Sequence, residues 1–134
     1  MAQAARKPRE DEIEVDGGMR DAVARSRRQE EIFELCDRMM DIAAALFAVS
    51  GRELRDSSRA NNNVARVRQV AMYVTHVTFG ITMKDVGIGF GRDRTTVMHA
   101  CHTIEDLRDD DEFDRIIALA ERVAAAALAS RTYR

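Results

Sequence analysis

Tryptophan is absent from the 134 residues, aromatic side chains make up only 5% of them, and proline occurs once, at position 8. With 46% hydrophobic residues, the apolar content is therefore Ala, Val, Ile, Leu and Met. That composition suits a helix bundle rather than a β-sandwich. Nothing after Pro8 removes a backbone donor from a helix. No apolar run is long enough to span a bilayer, and the opening MAQAARKPREDE lacks the apolar stretch of a signal peptide, so the expected location is the cytoplasm. The two cysteines, Cys36 and Cys101, show no pairing pattern and read as reduced core residues. No G-x-x-x-x-G-K-[ST] loop occurs, nor any nucleophile–base–orienter set or paired carboxylates in a cleft pattern. The expectation is a protein that is not an enzyme and uses no cofactor, nucleotide or metal.

An excess of basic residues is missing as well. Lys and Arg number 21 against 23 Asp and Glu, a net charge of −2, and a nucleic-acid binder usually leaves a basic footprint. The distribution is uneven, however. Arg52, Arg55, Arg59, Arg66 and Arg68 crowd one stretch against only Glu53 and Asp56, whereas residues 105–114 are strongly acidic. A chain with one basic and one acidic side can bind DNA through the basic one.

Residues 1–20 are polar, charged and carry Gly17-Gly18, which predicts a flexible tail preceding a domain over 21–130. From Asp21 the pattern is helical. Ile32, Leu35, Cys36, Met39, Ile42, Ala43 and Leu46 form an apolar stripe, and Ser50-Gly51 is expected to end it. A short helical turn over 53–56 and a polar loop over 57–63 (SSRANNN) follow. Val67, Val70, Ala71, Val74 and Val77 mark a second helix that stops near Gly80, with Arg66, Gln69, Tyr73 and His76 on its other side. Thr82-Met-Lys-Asp85 is a capping box opening a very short helix that ends around Gly89 to Gly91. Asp93 caps the next helix, which runs to about Arg108. A last helix carries Phe113, Ile116, Ile117, Ala120, Val123, Ala127 and Leu128 on one face.

Short helix, glycine-containing turn and longer helix make a helix-turn-helix, whose second helix enters the major groove. Stepping about 100° per residue along that helix turns Val97, Ala100, Cys101 and Ile104 inward and Thr95, His99, His102 and Asp106 outward. Arg94, Thr95 and His99 thus present hydrogen-bonding or small groups without a bulky apolar one, as reading of base edges requires. The fold expected is all-α, a helical bundle with a helix-turn-helix.

The runs ARVRQVAMYV and TMKDVGIGFGRDRTTVMHACHTI closely resemble the C-terminal DNA-binding domain of the bacterial replication initiator DnaA, a Trp-repressor-like helix-turn-helix. The resemblance extends over roughly residues 30–128 and includes the signature G-R-D-x-T-T-V-x-H-A-C. It implies recognition of DnaA boxes in double-stranded DNA, with one helix in the major groove and a loop arginine in the adjacent minor groove. Carried over position by position, Asp93, Thr95 and Thr96 contact bases or adjacent phosphate. Arg68 and Gln69 hold phosphate, and His76 stands where the family has a lysine near phosphate. Arg59 falls at the loop arginine. Arg66, Lys84, Arg92, Arg94, His99 and His102 complete the implied DNA-binding set.

The departures concern specificity. Arg94 replaces the usual histidine, only Gly91 remains of two glycines before the signature arginine, and Lys84 and Val67 stand where the family has prolines. The basic loop is diluted and one residue longer. Without a P-loop the chain is expected to act as a free-standing, box-reading module that regulates replication initiation or transcription at the nucleoid, as a monomer or a homodimer. The other reading is an adaptor that keeps the fold and binds a protein partner. His99, Cys101 and His102 do not make a metal site on the sequence pattern, because they point in different directions.

Overall fold

The computed structural model describes residues 10–56 and 61–128, with side chains from Gly17 onward. Its helices are α1 (Glu10–Phe47), α2 (Gly51–Arg55), α3 (Asn62–Phe79), α4 (Met83–Phe90), α5 (Arg94–Leu107) and α6 (Asp111–Leu128). No strand occurs among the described residues, and no helix among them is long and apolar enough to cross a membrane. Contacts divide the chain into two units, residues 1–30 and residues 31–134.

In the first unit α1 starts at Glu10, not at the Asp21 suggested by the apolar pattern. Glutamate is a good helix former, and acidic residues favour the positive end of the helix dipole, so helix forms where no apolar periodicity announces it. Every described side chain from Gly17 to Glu30 is exposed, Met19 and Val23 included.

In the second unit, α1 buries Ile32, Leu35, Cys36, Met39, Met40 and Ala43 along one stripe. It ends where Ala48 adopts φ 53°, a left-handed turn made without glycine. Ser50-Gly51 therefore does not end α1, contrary to expectation. Ser50 opens α2 instead, its hydroxyl accepting from Glu53 N at 3.4 Å. Arg55 then holds α2 to α1, its Nη2 donating to Asp37 Oδ1 at 2.7 Å and Asp41 Oδ1 at 2.8 Å.

The helix expected after the polar loop begins at Asn62, earlier than its first valine, because Asn61 supplies the cap by accepting from Val64 N at 2.9 Å. α3 is the central element and packs on α2, α4, α5 and α6. Residues 70–75 are buried without interruption. Thr75, the one polar residue among the buried ones described, donates to Ala71 O at 2.7 Å. Its C-cap is Gly80, at φ 64°.

An ionic cluster pins α5 and α6 to α3. Arg108 donates to Asp114 Oδ1 at 2.5 Å, Glu121 Oε1 at 2.6 Å and Tyr73 Oη at 3.1 Å, and Tyr73 donates to Glu105 Oε2 at 2.6 Å. The guanidinium also lies 5.9 Å from the Tyr73 ring centroid. Part of the acidic stretch 105–114 thus serves packing.

Candidate nucleic-acid interface

The site grows from the α4–α5 corner. Thr82 caps α4 by accepting from Asp85 N at 3.2 Å, and α4 ends at Gly91, whose φ of 66° is open to glycine at no steric cost. Arg92 N then donates to Gly87 O at 2.8 Å, closing the turn. A Cβ on Gly87 would stand 2.7 Å from Arg92 O, and one on Gly89 would strike Cys36 Sγ. Both glycines are therefore needed, the first for the turn and the second for the approach of α4 to α1. Phe90, just before Gly91, is half-buried and packs against the buried core.

Asp93 caps α5, its Oδ1 accepting from Thr96 N at 2.7 Å. The Thr96 amide, followed by the Thr96 hydroxyl, the Thr95 amide and the charge of His99, holds this carboxyl below its usual range. It is ionised at neutral pH and complements the helix N-terminus.

Beyond the cap, α5 buries Val97, Ala100, Cys101 and Ile104 and exposes Arg94, Thr95, Thr96, His99 and His102. The face contains one bulky group absent from the sequence expectation. Met98 is 37% exposed, one turn on from Arg94, and the 100° step places it on the flank of the polar face. The histidines are exposed while Cys101 faces the core; burial, and then Glu105, pushes its thiol up. Among the described residues no three His, Cys, Asp or Glu side chains group as metal ligands.

Beside the α5 N-terminus an open groove of about 440 Å³ is lined by His76, Thr82, Met83, Lys84 and Arg94. It unites three cationic or titratable side chains from three different helices. His76 Nδ1 lies 2.6 Å from Ile81 O. A carbonyl only accepts, so Nδ1 carries the proton and Nε2 is the acceptor of the neutral ring.

The arginines of α3 are engaged more closely than their sequence positions suggest. Arg68 donates Nε to Leu54 O at 2.9 Å and Nη2 to Glu53 O at 3.0 Å and Asp56 O at 3.1 Å. It satisfies the carbonyls that the end of α2 leaves open. Desolvation, followed by repulsion from Arg92, lowers its pKa. Arg66 donates to Gln69 Oε1 at 2.9 Å. Arg92 is half-buried and donates Nη2 to Asp56 O at 3.1 Å. Arg59 lies outside the described residues.

The structure thus brings His76, Lys84, Arg94 and the exposed residues of α5 to one side of the corner, and gathers Arg68 and Arg92 at the end of α2. The Asp56 carbonyl is the site atom that sequence reasoning missed. No side-chain pattern marks it, because its donors lie 12 and 36 residues away.

The family model described as bacterial dnaA protein helix-turn-helix matches residues 36–104. The chromosomal replication initiator protein DnaA of Laribacter hongkongensis is 31% identical over 98 residues, covering 72% of this chain and 19% of that protein. The chromosomal replication initiator protein DnaA 2 of Chlamydia trachomatis serovar D is 40% identical over 68 residues, 51% of this chain and 15% of that protein. The chain therefore spans less than a fifth of the length of these relatives. A crystal structure of a DNA replication initiation factor superposes with a TM-score of 0.66 at 21% identity, covering 83% of this chain and 36% of the other, which establishes the shared fold. Because the family match runs from Cys36 in α1 through the whole helix-turn-helix to Ile104 in α5, over more than half of the 134 residues, this chain belongs to the bacterial dnaA protein helix-turn-helix family.

Proposed function

We infer that the chain is a sequence-specific double-stranded DNA-binding module that inserts the first turns of α5 into the major groove. The observation that carries this reading is the exposed polar N-terminal face of α5, Arg94, Thr95, Thr96, His99 and His102, standing beside the groove of His76, Lys84 and Arg94. Arg94 offers a fork suited to guanine and Thr95 a methyl suited to thymine. Lys84 and His76 border the helix where backbone phosphates would pass. Relatives named chromosomal replication initiator protein DnaA favour sites of the DnaA-box type, and hence regulation of replication initiation or of promoters carrying such sites. Arg94 in place of the family histidine favours an altered box. Arg59 serves the adjacent minor groove in this reading, and Asp93 adds a base contact to its capping role.

Equilibrium binding to a selected duplex, with random duplex as competitor, tests the reading. Thr95→Ala lowers the ratio of specific to random affinity. Lys84→Ala weakens both about equally and reduces the salt slope by about one. If neither the wild type nor any variant prefers one duplex over another, the chain is no sequence-specific binder, and the adaptor reading takes its place.

A further inference from the structure

The groove beside the α5 N-terminus joins two permanent cations to a side chain of variable charge. Lys84 stands in the first turn of α4 and Arg94 opens α5, and both residue types are charged at neutral pH. His76 stands in the last turn of α3, and histidine is the side chain whose charge changes between about pH 5 and 8. Its ring is held in one orientation. Nδ1 lies 2.6 Å from Ile81 O, and a carbonyl only accepts, so Nδ1 carries a proton whether the ring is neutral or charged. The nitrogen that gains or loses a proton is therefore Nε2. Neutral, Nε2 offers a lone pair, which a phosphate oxygen cannot use. Protonated, it offers a charged N–H, which makes a strong bond to phosphate.

On the groove side, the charged groups around this ring are the cations Lys84 of α4 and Arg94 of α5. The acids of the elements packed on α3 are engaged elsewhere. Asp85 of α4 acts on the Cys36 thiol, and Asp93 accepts from Thr96 N at the head of α5. Glu105 of α5 is bonded to Tyr73, and Asp114 and Glu121 of α6 to Arg108. α2 meets α3 at Arg68, eight residues before His76, through the Glu53 and Leu54 carbonyls, while Arg55 of α2 is bonded to Asp37 and Asp41. A phosphate entering the groove therefore brings the negative charge that favours the protonated ring.

We propose that DNA binding by this chain takes up a proton: a backbone phosphate entering beside Lys84 and Arg94 is held by Nε2–H of a protonated His76, so affinity rises as pH falls. The inference rests on the DNA-binding reading and adds to it regulation by pH. The sign follows from linkage. The bound state holds the extra proton, so affinity is greatest at low pH and falls as pH rises through the range where histidine titrates. The contact is to phosphate and carries no sequence information, so selected and random duplexes share it.

Affinity for both duplexes is measured at about pH 5.5 and about pH 8, the span over which histidine titrates. His76→Gln keeps a donor for Ile81 O and cannot charge, whereas His76→Lys is charged throughout. His99 and His102 titrate in all three proteins, so only differences between them belong to His76. The wild type should gain about tenfold more affinity on acidification than His76→Gln does, the size of one charged hydrogen bond. Its salt slope should steepen by about one more, and His76→Lys should lack the extra gain. An equal gain in wild type and His76→Gln overturns the proposal and leaves the DNA-binding reading standing. The His76 ring resonance, followed against pH in the free and DNA-bound wild type, needs no variant. A higher titration midpoint in the complex is expected, and an unchanged one overturns the proposal. A wild type that binds neither duplex at either pH defeats the DNA-binding reading and the proposal with it.

Discussion

Replacing Gly87 by alanine tests how tightly the corner of the site is built. The new methyl would stand 2.7 Å from Arg92 O, 3.4 Å from the Asp93 carbonyl carbon and 3.5 Å from Arg94 N. All three are backbone atoms, so no rotamer change relieves the clash. The turn must give by roughly 0.7 Å to restore ordinary contact, while Arg92 N is bonded to Gly87 O at 2.8 Å. Overpacking of this kind costs about 1–3 kcal/mol. Alanine's better helix propensity returns up to ~1 kcal/mol, so the clash wins by about 1–2 kcal/mol. For a domain of this size that lowers Tm by about 5–10 °C. Thermal unfolding followed by circular dichroism reads it directly. Gly18→Ala is the control of opposite sign, since a Cβ there meets nothing within 4 Å. It should raise helicity and leave the melting of the domain in place. A Gly87→Ala protein that melts at or above the wild type refutes the claim that the turn requires glycine.

The remaining expectations concern other buried or clamped groups. Arg108→Met strands Asp114, Glu121 and Tyr73. With Arg108 and Glu121 side chains 22% and 23% exposed, water offsets part of the loss, leaving about 2 kcal/mol in urea unfolding; a change below about 0.5 kcal/mol contradicts the network's role. Arg68→Ala leaves the Glu53 and Leu54 carbonyls without this donor and should cost about 1–3 kcal/mol. Its effect on DNA affinity has to be read beside its melting curve, and an unchanged Tm would show that Arg68 does not hold α2. Burial, and then Asp85, pushes the Cys36 thiol from 9.0 up to about 12. A raised folded-state pKa means a contribution fully present below the unfolded value and lost as pH rises from about 9 towards 12. Stability should fall across that window in the wild type and fall less in Cys36→Ala; equal slopes would refute the assignment.

What could be read from the sequence was local. Thr82, Gly91 and Asp93 announce α4, the turn and α5 because capping and left-handed turns act over three or four residues. The buried face of α5 follows from a 3.6-residue period. The start of α1 was hidden because Glu-rich helix has propensity without periodicity. Ser50-Gly51 misled because Ala48 had already ended the helix, leaving Ser50 to begin the next one. Met98 was recoverable by stepping once more around the helix wheel. The roles of Arg68 and Arg92 were not recoverable. Both belong to the DNA-binding set that the resemblance implies, and both spend donors on Asp56 O, a contact set by how α2, α3 and the turn pack.

Selection of bound sequences from a random double-stranded DNA library at moderate salt tests the central claim most directly. Enrichment of a motif by the wild type, lost in Thr95→Ala and shifted in Arg94→His towards the family's box, is the predicted result. No enrichment by the wild type would contradict sequence-specific DNA binding and leave the fold to the service of a protein partner.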